Sequence, residues 1–338
     1  MNEPFAPQQV KIAVIGGGTG SFTLLSALKE HTNQIAALVN MADDGGSTGV
    51  LRDELGALPP GDIRQCLVAL SNSPKVRDLF NYRFDNGSLK GHAFGNLFLT
   101  ALEKMTGNFA EGIELASEVL NITGTVEPIT LSNIKLAMKN QLGEVVRGEF
   151  EIAQSDFMGH RPQFWLEPEA TASPRALRAI EVADMVIIAP GNLYGSLAPA
   201  LIVPGIGEAL ARSKAMKVYV CNLVTKPGQT DGYKVHDYAD EIERLAGHPF
   251  LDAVIYNTEK PSSHLLKKYA NEGELSVEHD ETALRDAHYL ALGANLLSSE
   301  IWQNVNKSDP IATSRTLIRH DSQAIARLIM EIIANHAR

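Results

Sequence analysis

Apolar and polar positions along the chain alternate between two patterns, one typical of buried strands and one typical of amphipathic helices. Continuous apolar runs precede loops rich in glycine, proline or asparagine, as expected for strands buried on both faces. These predicted strands lie at 10–15, 36–39, 184–189, 216–221 and 251–256. A helical period follows Asp62, where Ile63, Cys66, Leu67 and Leu70 share one face. The alternation predicts an α/β fold whose mostly parallel sheet is covered on both faces.

One segment departs from this alternation. Residues 134–150 contain two strand-like runs around Asn140–Gly143, which predicts an antiparallel hairpin that either adds an edge to the sheet or forms a flap. Ser173 is predicted to cap the next helix, and a final helix begins near Asp321. With no linker visible, we expect a short extension over 1–10 and a single domain over 11–338, with the hairpin inserted near 132–154.

Composition narrows the classes of partner. The chain has 338 residues and is 44% hydrophobic, and its 30 Lys and Arg against 40 Asp and Glu give a net charge of −10, which argues against nucleic acid. Cys66 and Cys221 lie in apolar patterns and are expected to be buried, reduced thiols. No signal peptide or run of about 18 apolar residues is visible, so we expect a soluble, cytoplasmic protein without membrane insertion. A homo-oligomer is also expected.

The first predicted strand leads into a glycine-rich turn, Gly16-Gly17-Gly18-Thr19-Gly20, and then into a helix. This order places backbone N–H groups and a helix N-terminus around a concavity that suits a phosphate. The turn is not a standard dinucleotide fingerprint, because Ser21 takes the place of its third glycine and Asn40 that of the ribose-binding acid. These two differences disfavour an NAD-dependent dehydrogenase. The pattern G-x-x-x-x-G-K-[ST] is also missing, which disfavours a P-loop protein.

The second strand ends in a loop with two adjacent carboxylates, Asp43 and Asp44, followed by glycines, Ser47 and Arg52. Ligands bind at such strand ends in open α/β sheets. The carboxylates are therefore candidates for holding sugar hydroxyls or a Mg²⁺ ion that bridges phosphate oxygens. The alternative is a surface turn in which the aspartates cap a helix.

Four further features are candidates for the same cleft. Asp62 is predicted as a helix N-cap, and Arg64, off the apolar face, either reaches a phosphate, pairs with Asp43 or Asp44, or is solvated. His92 opens another helix and either donates to an anion, transfers a proton or is structural. Two strand-end loops complete the set, at 189–196 and 222–232. No motif indicates an activated nucleophile.

In combination, these sequence motifs resemble those of the YvcK-like branch of the superfamily that contains the 2-phospho-L-lactate transferases. Members of this branch are described as gluconeogenesis factors. The resemblance runs from about Lys11 to the C-terminus. It is carried by the motifs Gly16–Gly20, Asn40–Ser47, Gly61–Arg64, Gly91–Leu97, Pro190–Tyr194, Asn222–Asp231 and Ile318–Asp321. The chain differs from the family at Asn192, at Gly195 and within Thr225–Thr230, where contacts to a second phosphate or a sugar are in doubt.

The resemblance implies a Rossmann-like three-layer α/β/α domain that binds a nucleotide sugar of the UDP-N-acetylglucosamine type or an NAD-like dinucleotide. Its roles would lie in central carbon metabolism, cell-envelope synthesis and cell shape. By position, Asp43 and Asp44 match an acidic pair near metal and acceptor. The alternative to a regulator is a Mg²⁺-dependent transferase, with Asp43, Asp44 and His92 as catalytic candidates.

The expected ligand-binding residues come from all of these loops. They are Gly16, Gly17, Gly18, Thr19, Asn40, Asp43, Asp44, Ser47, Arg52, Asp62, Arg64, His92, Asn96, Pro190, Gly191, Asn192, Leu193, Asn222, Thr225, Gly228 and Thr230.

Overall fold

The protein folds around a seven-stranded parallel sheet and a smaller antiparallel one. The computed structural model describes residues 9–271, 273–298 and 319–336. The strands, in chain order, are β1 (Ile12–Gly16), β2 (Ile35–Val39), β3 (Thr125–Pro128), β4 (Lys135–Lys139), β5 (Val145–Arg147), β6 (Gln163–Glu167), β7 (Met185–Ile188), β8 (Met216–Val220), β9 (Ala253–Asn257) and β10 (Leu290–Ala294). The large sheet has the order β10-β9-β8-β7-β1-β2-β3.

Helices cover both faces of the large sheet, which confirms the predicted three-layer α/β/α class. They are α1 (Gly18–Leu28), α2 (Gly46–Leu55), α3 (Pro60–Leu70), α4 (Pro74–Asn81), α5 (Phe94–Thr106), α6 (Phe109–Leu120), α7 (Glu149–Gln154), α8 (Pro174–Val182), α9 (Ala198–Leu201), α10 (Ile206–Arg212), α11 (Val235–Ala246), α12 (Ser263–Asn271), α13 (Glu281–Asp286) and α14 (Ser322–His336). A π-helical turn, Leu193–Leu197, precedes α9.

The central strand β1 is the point at which the direction of winding changes. The chain builds outward from β1 to β2 and β3 and then returns to place β7 on the other side of β1. At such a switch point the loops after the two central strands diverge and leave a crevice at the carboxyl edge of the sheet. The glycine turn after β1 and the loop after β7 both lie at this edge.

The predicted hairpin forms, but it does not add an edge to the large sheet. Strands β4 and β5 pair antiparallel, and β6 pairs with the other side of β4 to give a separate three-stranded sheet. The second predicted strand ends early, because residues 149–154 are helical and form α7. The pairing with β6 over distant sequence explains why the local pattern did not reveal this arrangement.

Several local expectations are confirmed and one is wrong. Ser173 caps α8 by accepting a hydrogen bond of 3.1 Å from the Ala176 N–H, and Asp321 accepts one of 2.9 Å from the Ala324 N–H at the start of α14. Cys66 and Cys221 are buried free thiols. Asp62, however, is not an N-cap: α3 begins at Pro60, which places Asp62 inside its first turn.

Within the described residues, no single helix is long and apolar enough to cross a membrane. The segments Leu193–Leu201 and Ile206–Arg212 meet the length and composition criteria only as a pair, bent by 76°. Their apolar side chains lie in the protein core, where Leu197, Leu201 and Leu210 are at most 1% exposed. Residues 1–8, part of the predicted extension, and Ile318 of the last motif lie outside the described residues.

Candidate functional site

The glycine turn joins the central strand to α1 at the carboxyl edge of the sheet. Gly17 precedes the helix with an extended backbone and, as a glycine, has no side chain of its own to cap it. Gly18 has φ +65°, a left-handed conformation that costs other residues about 1–2 kcal/mol. A Cβ on Gly17 would overlap the Asp62 carboxylate. The turn therefore presents backbone N–H groups and the helix N-terminus toward the crevice, as a phosphate site requires.

The loops after β7 and β8 approach the glycine turn from the other side of the switch point. A Cβ on Gly20 would collide with the backbone carbonyl of Pro190. Asn192 begins the π-helical turn, with its side-chain oxygen accepting from the Tyr194 and Gly195 N–H groups at 3.2 Å. The Asn222 side chain donates to the Gly191 carbonyl at 2.7 Å. Three strand-end loops predicted to share a cleft are thus in mutual contact.

The loop after β2 directs its two aspartates in different directions. Asp43 accepts a hydrogen bond of 3.1 Å from the Gly45 N–H and another from the Thr48 hydroxyl. Asp44 accepts one of 2.9 Å from the Phe150 N–H at the start of α7. Earlier in the same loop, Oδ1 of Asn40 accepts a hydrogen bond of 2.9 Å from the Ala42 N–H. The small sheet and α7 are therefore fastened to this loop through Asp44.

Carboxyl groups converge near the glycine turn and raise one another's pKa. Burial, reinforced by the charges of Asp43 and Glu149, raises the pKa of Asp62 to about 8. Burial and the neighbouring Asp43 and Asp44 raise the pKa of Glu149 to about 7. The pKa of Asp43 is also raised, mainly by burial. Burial is the largest cause of each shift, and the neighbouring carboxylates add to it.

Glu149 was not foreseen from the sequence. It lies in α7, which the apolar pattern assigned to a strand, and it reaches the cleft only because the small sheet folds over the acidic loop. A Cβ on Gly195, in the π-helical turn, would overlap the Glu149 carboxylate. The positive charge of Lys226, in the loop after β8, offsets part of the rise in the pKa of Glu149. Burial lowers the pKa of this lysine. No local signal in the sequence connects these two residues.

The donor chemistry of this acidic cluster fits a divalent cation, which prefers carboxylate oxygens. However, the described part of the chain contains no group of three or more His, Cys, Asp or Glu side chains arranged to hold a metal ion. Asp43 faces Gly61, since a Cβ there would lie 2.6 Å from its Oδ2, while Asp44 faces Gly148 and Phe150. A Mg²⁺ ion shared by Asp43 and Asp44 stays a prediction.

Arg52 holds the acidic loop to the start of the small sheet. Its guanidinium donates to the Asp43 carbonyl at 2.9 Å and the Ala42 carbonyl at 3.4 Å. These two bonds come from Nη1, whereas Nη2 donates to the Asn133 side chain and the Ile134 carbonyl, both at 2.6 Å. The residue is buried. These four oxygens give Arg52 a structural role in shaping the loop, and direct contact with a ligand stays a prediction.

A second polar network runs beside the acidic loop. The prediction that Arg64 is most simply a solvated arginine is wrong, because it is buried and donates to Asn96 at 2.9 Å and Asn81 at 2.5 Å. Asn96 in turn donates to the Ser47 hydroxyl at 3.3 Å. The Ser47 hydroxyl lies 2.9 Å from Nδ1 of His92. Four of the predicted site residues are thus joined in one chain of hydrogen bonds.

The loop after β8 is closed by its own threonines. The Thr225 hydroxyl accepts from the Leu275 N–H at 3.1 Å. The Thr230 hydroxyl accepts from the Lys226 N–H at 2.7 Å and from the Tyr238 hydroxyl at 2.9 Å. The Gly228 carbonyl accepts from the Phe157 N–H at 2.6 Å, which joins this loop to the segment between α7 and β6. Contact of Thr225, Gly228 or Thr230 with a ligand stays a prediction.

A parallel sheet covered by helices on both faces, with a glycine-rich turn at its switch point, defines a Rossmann-like class of α/β protein. The chain belongs to the CofD family, since the model for 2-phospho-L-lactate transferase CofD matches residues 12–297.

Curated relatives match nearly the whole chain. The gluconeogenesis factor of Bacillus subtilis is 38% identical over 330 residues, which are 96% of this chain and 99% of the relative. That of Halalkalibacterium halodurans is 40% identical over 323 residues, 95% of each chain. The crystal structure of a UPF0052 family member from Bacillus halodurans is 37% identical, with a TM-score of 0.86 over 95% of this chain and 98% of that one. The predicted family and fold are confirmed.

Proposed function

We propose that the protein binds the diphosphate of a nucleotide sugar, of the UDP-N-acetylglucosamine type, or of an NAD-like dinucleotide. The observation that carries this proposal is the position of the Gly17–Thr19 turn, at the N-terminus of α1 and at the switch point of the sheet. Backbone N–H groups and the helix dipole at such a position favour an anion. The loops at Pro190 and Asn222 border the same crevice and would contact the nucleoside or sugar.

The biological role that we propose is regulatory. Ligand binding would link central carbon metabolism with cell-envelope synthesis and cell shape, in the cytoplasm. Support comes from relatives at about 40% identity whose name is gluconeogenesis factor. A regulator needs the same donors as an enzyme but no turnover, so the binding site alone satisfies this role.

A second candidate function is a Mg²⁺-dependent transferase acting on a nucleoside-diphosphate-activated donor. The observation that favours it is that the carboxyl groups of Asp43, Asp62 and Glu149 converge beside the glycine turn, where they offer the oxygen donors that a divalent cation prefers. The family match to 2-phospho-L-lactate transferase supports the same chemistry.

A thermal-shift screen of nucleotides and nucleotide sugars, with and without Mg²⁺, tests the proposed ligand class. A ligand at one hundred times its Kd stabilises the folded protein by about 2.7 kcal/mol, which is readily detected. We expect stabilisation by UDP-N-acetylglucosamine or NAD but not by the free sugar or nucleoside. Stabilisation by the nucleoside alone, with no gain from the diphosphate, would contradict the proposed role of the glycine turn.

A transfer assay separates the two functions. The protein is incubated with guanosine-diphosphate-activated phospholactate, Mg²⁺ and the deazaflavin alcohol, and the product is compared with a control lacking protein. The regulatory role predicts no product above that control. Product that forms with the wild-type protein and is lost in the Asp43→Ala variant would show that the protein is a transferase and not a regulator without turnover.

A further inference from the structure

The hydroxyl of Ser47 and the imidazole of His92 lie in hydrogen-bond contact, 2.9 Å apart. Contact of this kind between a hydroxyl and a base is one part of the arrangement that activates a nucleophile. The sequence motifs did not reveal the pair, because the two residues are 45 positions apart. Both side chains are half-buried rather than enclosed.

The surrounding network fixes one of the hydrogen bonds of Ser47. Arg64 donates to Oδ1 of Asn96, so the Asn96 amide nitrogen must be the atom that donates to Ser47. The Ser47 hydrogen can then be donated to Nδ1 of His92, which lies within reach. In the tautomer that carries its proton on Nε2, Nδ1 is the basic atom facing the hydroxyl.

The backbone around Ser47 also suits a nucleophile. Residues Gly45-Gly46-Ser47-Thr48-Gly49 fit the pattern G-x-S-x-G, in which a serine stands on a turn leading into a helix. Here Ser47 is the second residue of α2, whose N-terminus stabilises negative charge developing on the oxygen. The turn differs from the usual elbow in that a loop, residues 40–45, separates it from the preceding strand.

Ser47 is connected to the glycine turn through a short series of contacts. The next residue, Thr48, donates to Asp43, and a Cβ on Gly61 would lie 2.6 Å from the oxygens of both. Gly61 is followed by Asp62, whose carboxylate accepts from the Gly18 N–H. The hydroxyl is therefore joined to the proposed phosphate cradle by a continuous series of neighbouring residues.

From this geometry we propose that Ser47 and His92 form a nucleophile–base pair that attacks the phosphorus of a phosphoanhydride. The O–H bond of Ser47 breaks as its Oγ–P bond forms, and the proton passes to Nδ1 of His92. The bond between phosphorus and the bridging oxygen breaks, and the leaving phosphate takes the electron pair and then the proton from the imidazolium. The substrate class rests on the proposed nucleotide binding, whereas the reactivity of the pair does not.

The test is labelling of the intact protein with diisopropyl fluorophosphate, followed by peptide mass spectrometry. Attack by Ser47 forms an Oγ–P bond and releases fluoride. Ser26 is a matched control within the same chain, because its hydroxyl donates to the Phe22 carbonyl at 2.8 Å and has no base beside it. We expect an adduct on Ser47 and none on Ser26 over the same period.

The His92→Gln variant keeps a polar side chain but cannot take the proton, so labelling of Ser47 should slow by about a hundredfold, as is typical when a general base is lost. If the variant does not fold, the comparison of Ser47 with Ser26 in the wild-type protein decides. Equal labelling of the two serines, or labelling of Ser47 at an unchanged rate in a folded His92→Gln variant, would overturn the proposal. Neither result bears on nucleotide binding, since the reagent contains no nucleotide.

Discussion

The carboxylate of Asp62 lies against the backbone N–H of Gly18, inside the turn that is proposed to hold the phosphate. The same carboxylate occupies the space that a Cβ on Gly17 would need. An ionised Asp62 would repel a phosphate at this position, but burial and neighbouring acids raise its pKa to about 8, which keeps it largely protonated at neutral pH. The protonation state of Asp62 therefore sets the charge beside the proposed phosphate position.

The contribution of Asp62 to the stability of the protein should decrease as pH rises from about 4 to about 8. The pKa of an unfolded aspartate is about 3.9, whereas that of folded Asp62 is about 8, so the folded state binds the additional proton between these values. By linkage, the free energy of unfolding falls across this interval as the pH rises. In Asp62→Asn the amide keeps the acceptor for Gly18 but cannot ionise, and the decrease should be less steep.

Urea denaturation at pH 5, 6, 7 and 8 measures this dependence. Asp184→Asn is the matched control, because Asp184 also accepts a backbone N–H, that of Lys11, but lies at the opposite edge of the sheet. It should keep the wild-type slope. A slope that is identical in wild type and Asp62→Asn would show that Asp62 is not the group responsible.

Replacing Arg52 with methionine should destabilise the fold. The substitution removes hydrogen bonds to the carbonyls of Ala42, Asp43 and Ile134, and leaves buried acceptors without this donor. A buried acceptor left unsatisfied costs about 1–3 kcal/mol, so we expect a loss of roughly 3 kcal/mol in the free energy of unfolding.

Arg178→Met is the comparison for this measurement by chemical denaturation. Arg178 pairs with Glu181 on the surface of α8, with both side chains more than two-thirds exposed at 68% and 69%, and its loss should change stability by no more than about 0.5 kcal/mol. Similar small effects of both substitutions would contradict the structural role of Arg52.

Asp44→Asn should weaken ligand binding, or its dependence on Mg²⁺, by roughly 1–3 kcal/mol, because a charged oxygen is lost. The asparagine Oδ1 can still accept from the Phe150 N–H, so the attachment of α7 should survive. Titration of the variant with and without Mg²⁺, compared with wild type, measures the effect. Unchanged affinity and unchanged Mg²⁺ dependence would reduce Asp44 to a residue that holds the loop and α7 together.

The sequence was most informative where structure is local. A continuous apolar run followed by glycines predicted β1, the turn and α1, because a strand buried on both faces and a helix N-terminus each have a short-range pattern. The strand-end loops followed from the same logic, since parallel strands end at one edge of the sheet.

Local sequence patterns could not predict the surroundings of residues that pack against distant segments of the chain. Arg64 has the charge of a surface residue, but it is buried and contacts Asn81 and Asn96, which are 17 and 32 positions away. Glu149 enters the acidic cluster because β6 pairs with β4 and the small sheet folds over the loop of Asp44. The Ser47–His92 contact likewise depends on how α2 packs beside α5. Long-range pairing, rather than periodicity, decides these three cases.

Isothermal titration of UDP-N-acetylglucosamine and of NAD into wild type, Gly18→Leu and Gly247→Leu tests the central claim most directly. Both glycines have a positive φ, +65° and +76°, so the strain of substitution is matched, and a Cβ at Gly247 meets no neighbour within 4 Å. Gly247 ends α11, far along the chain from the turn. The account predicts saturable binding of one of the two ligands to wild type and to Gly247→Leu, and its loss in a folded Gly18→Leu. Binding of equal affinity to all three proteins would show that the diphosphate does not lie on the glycine turn.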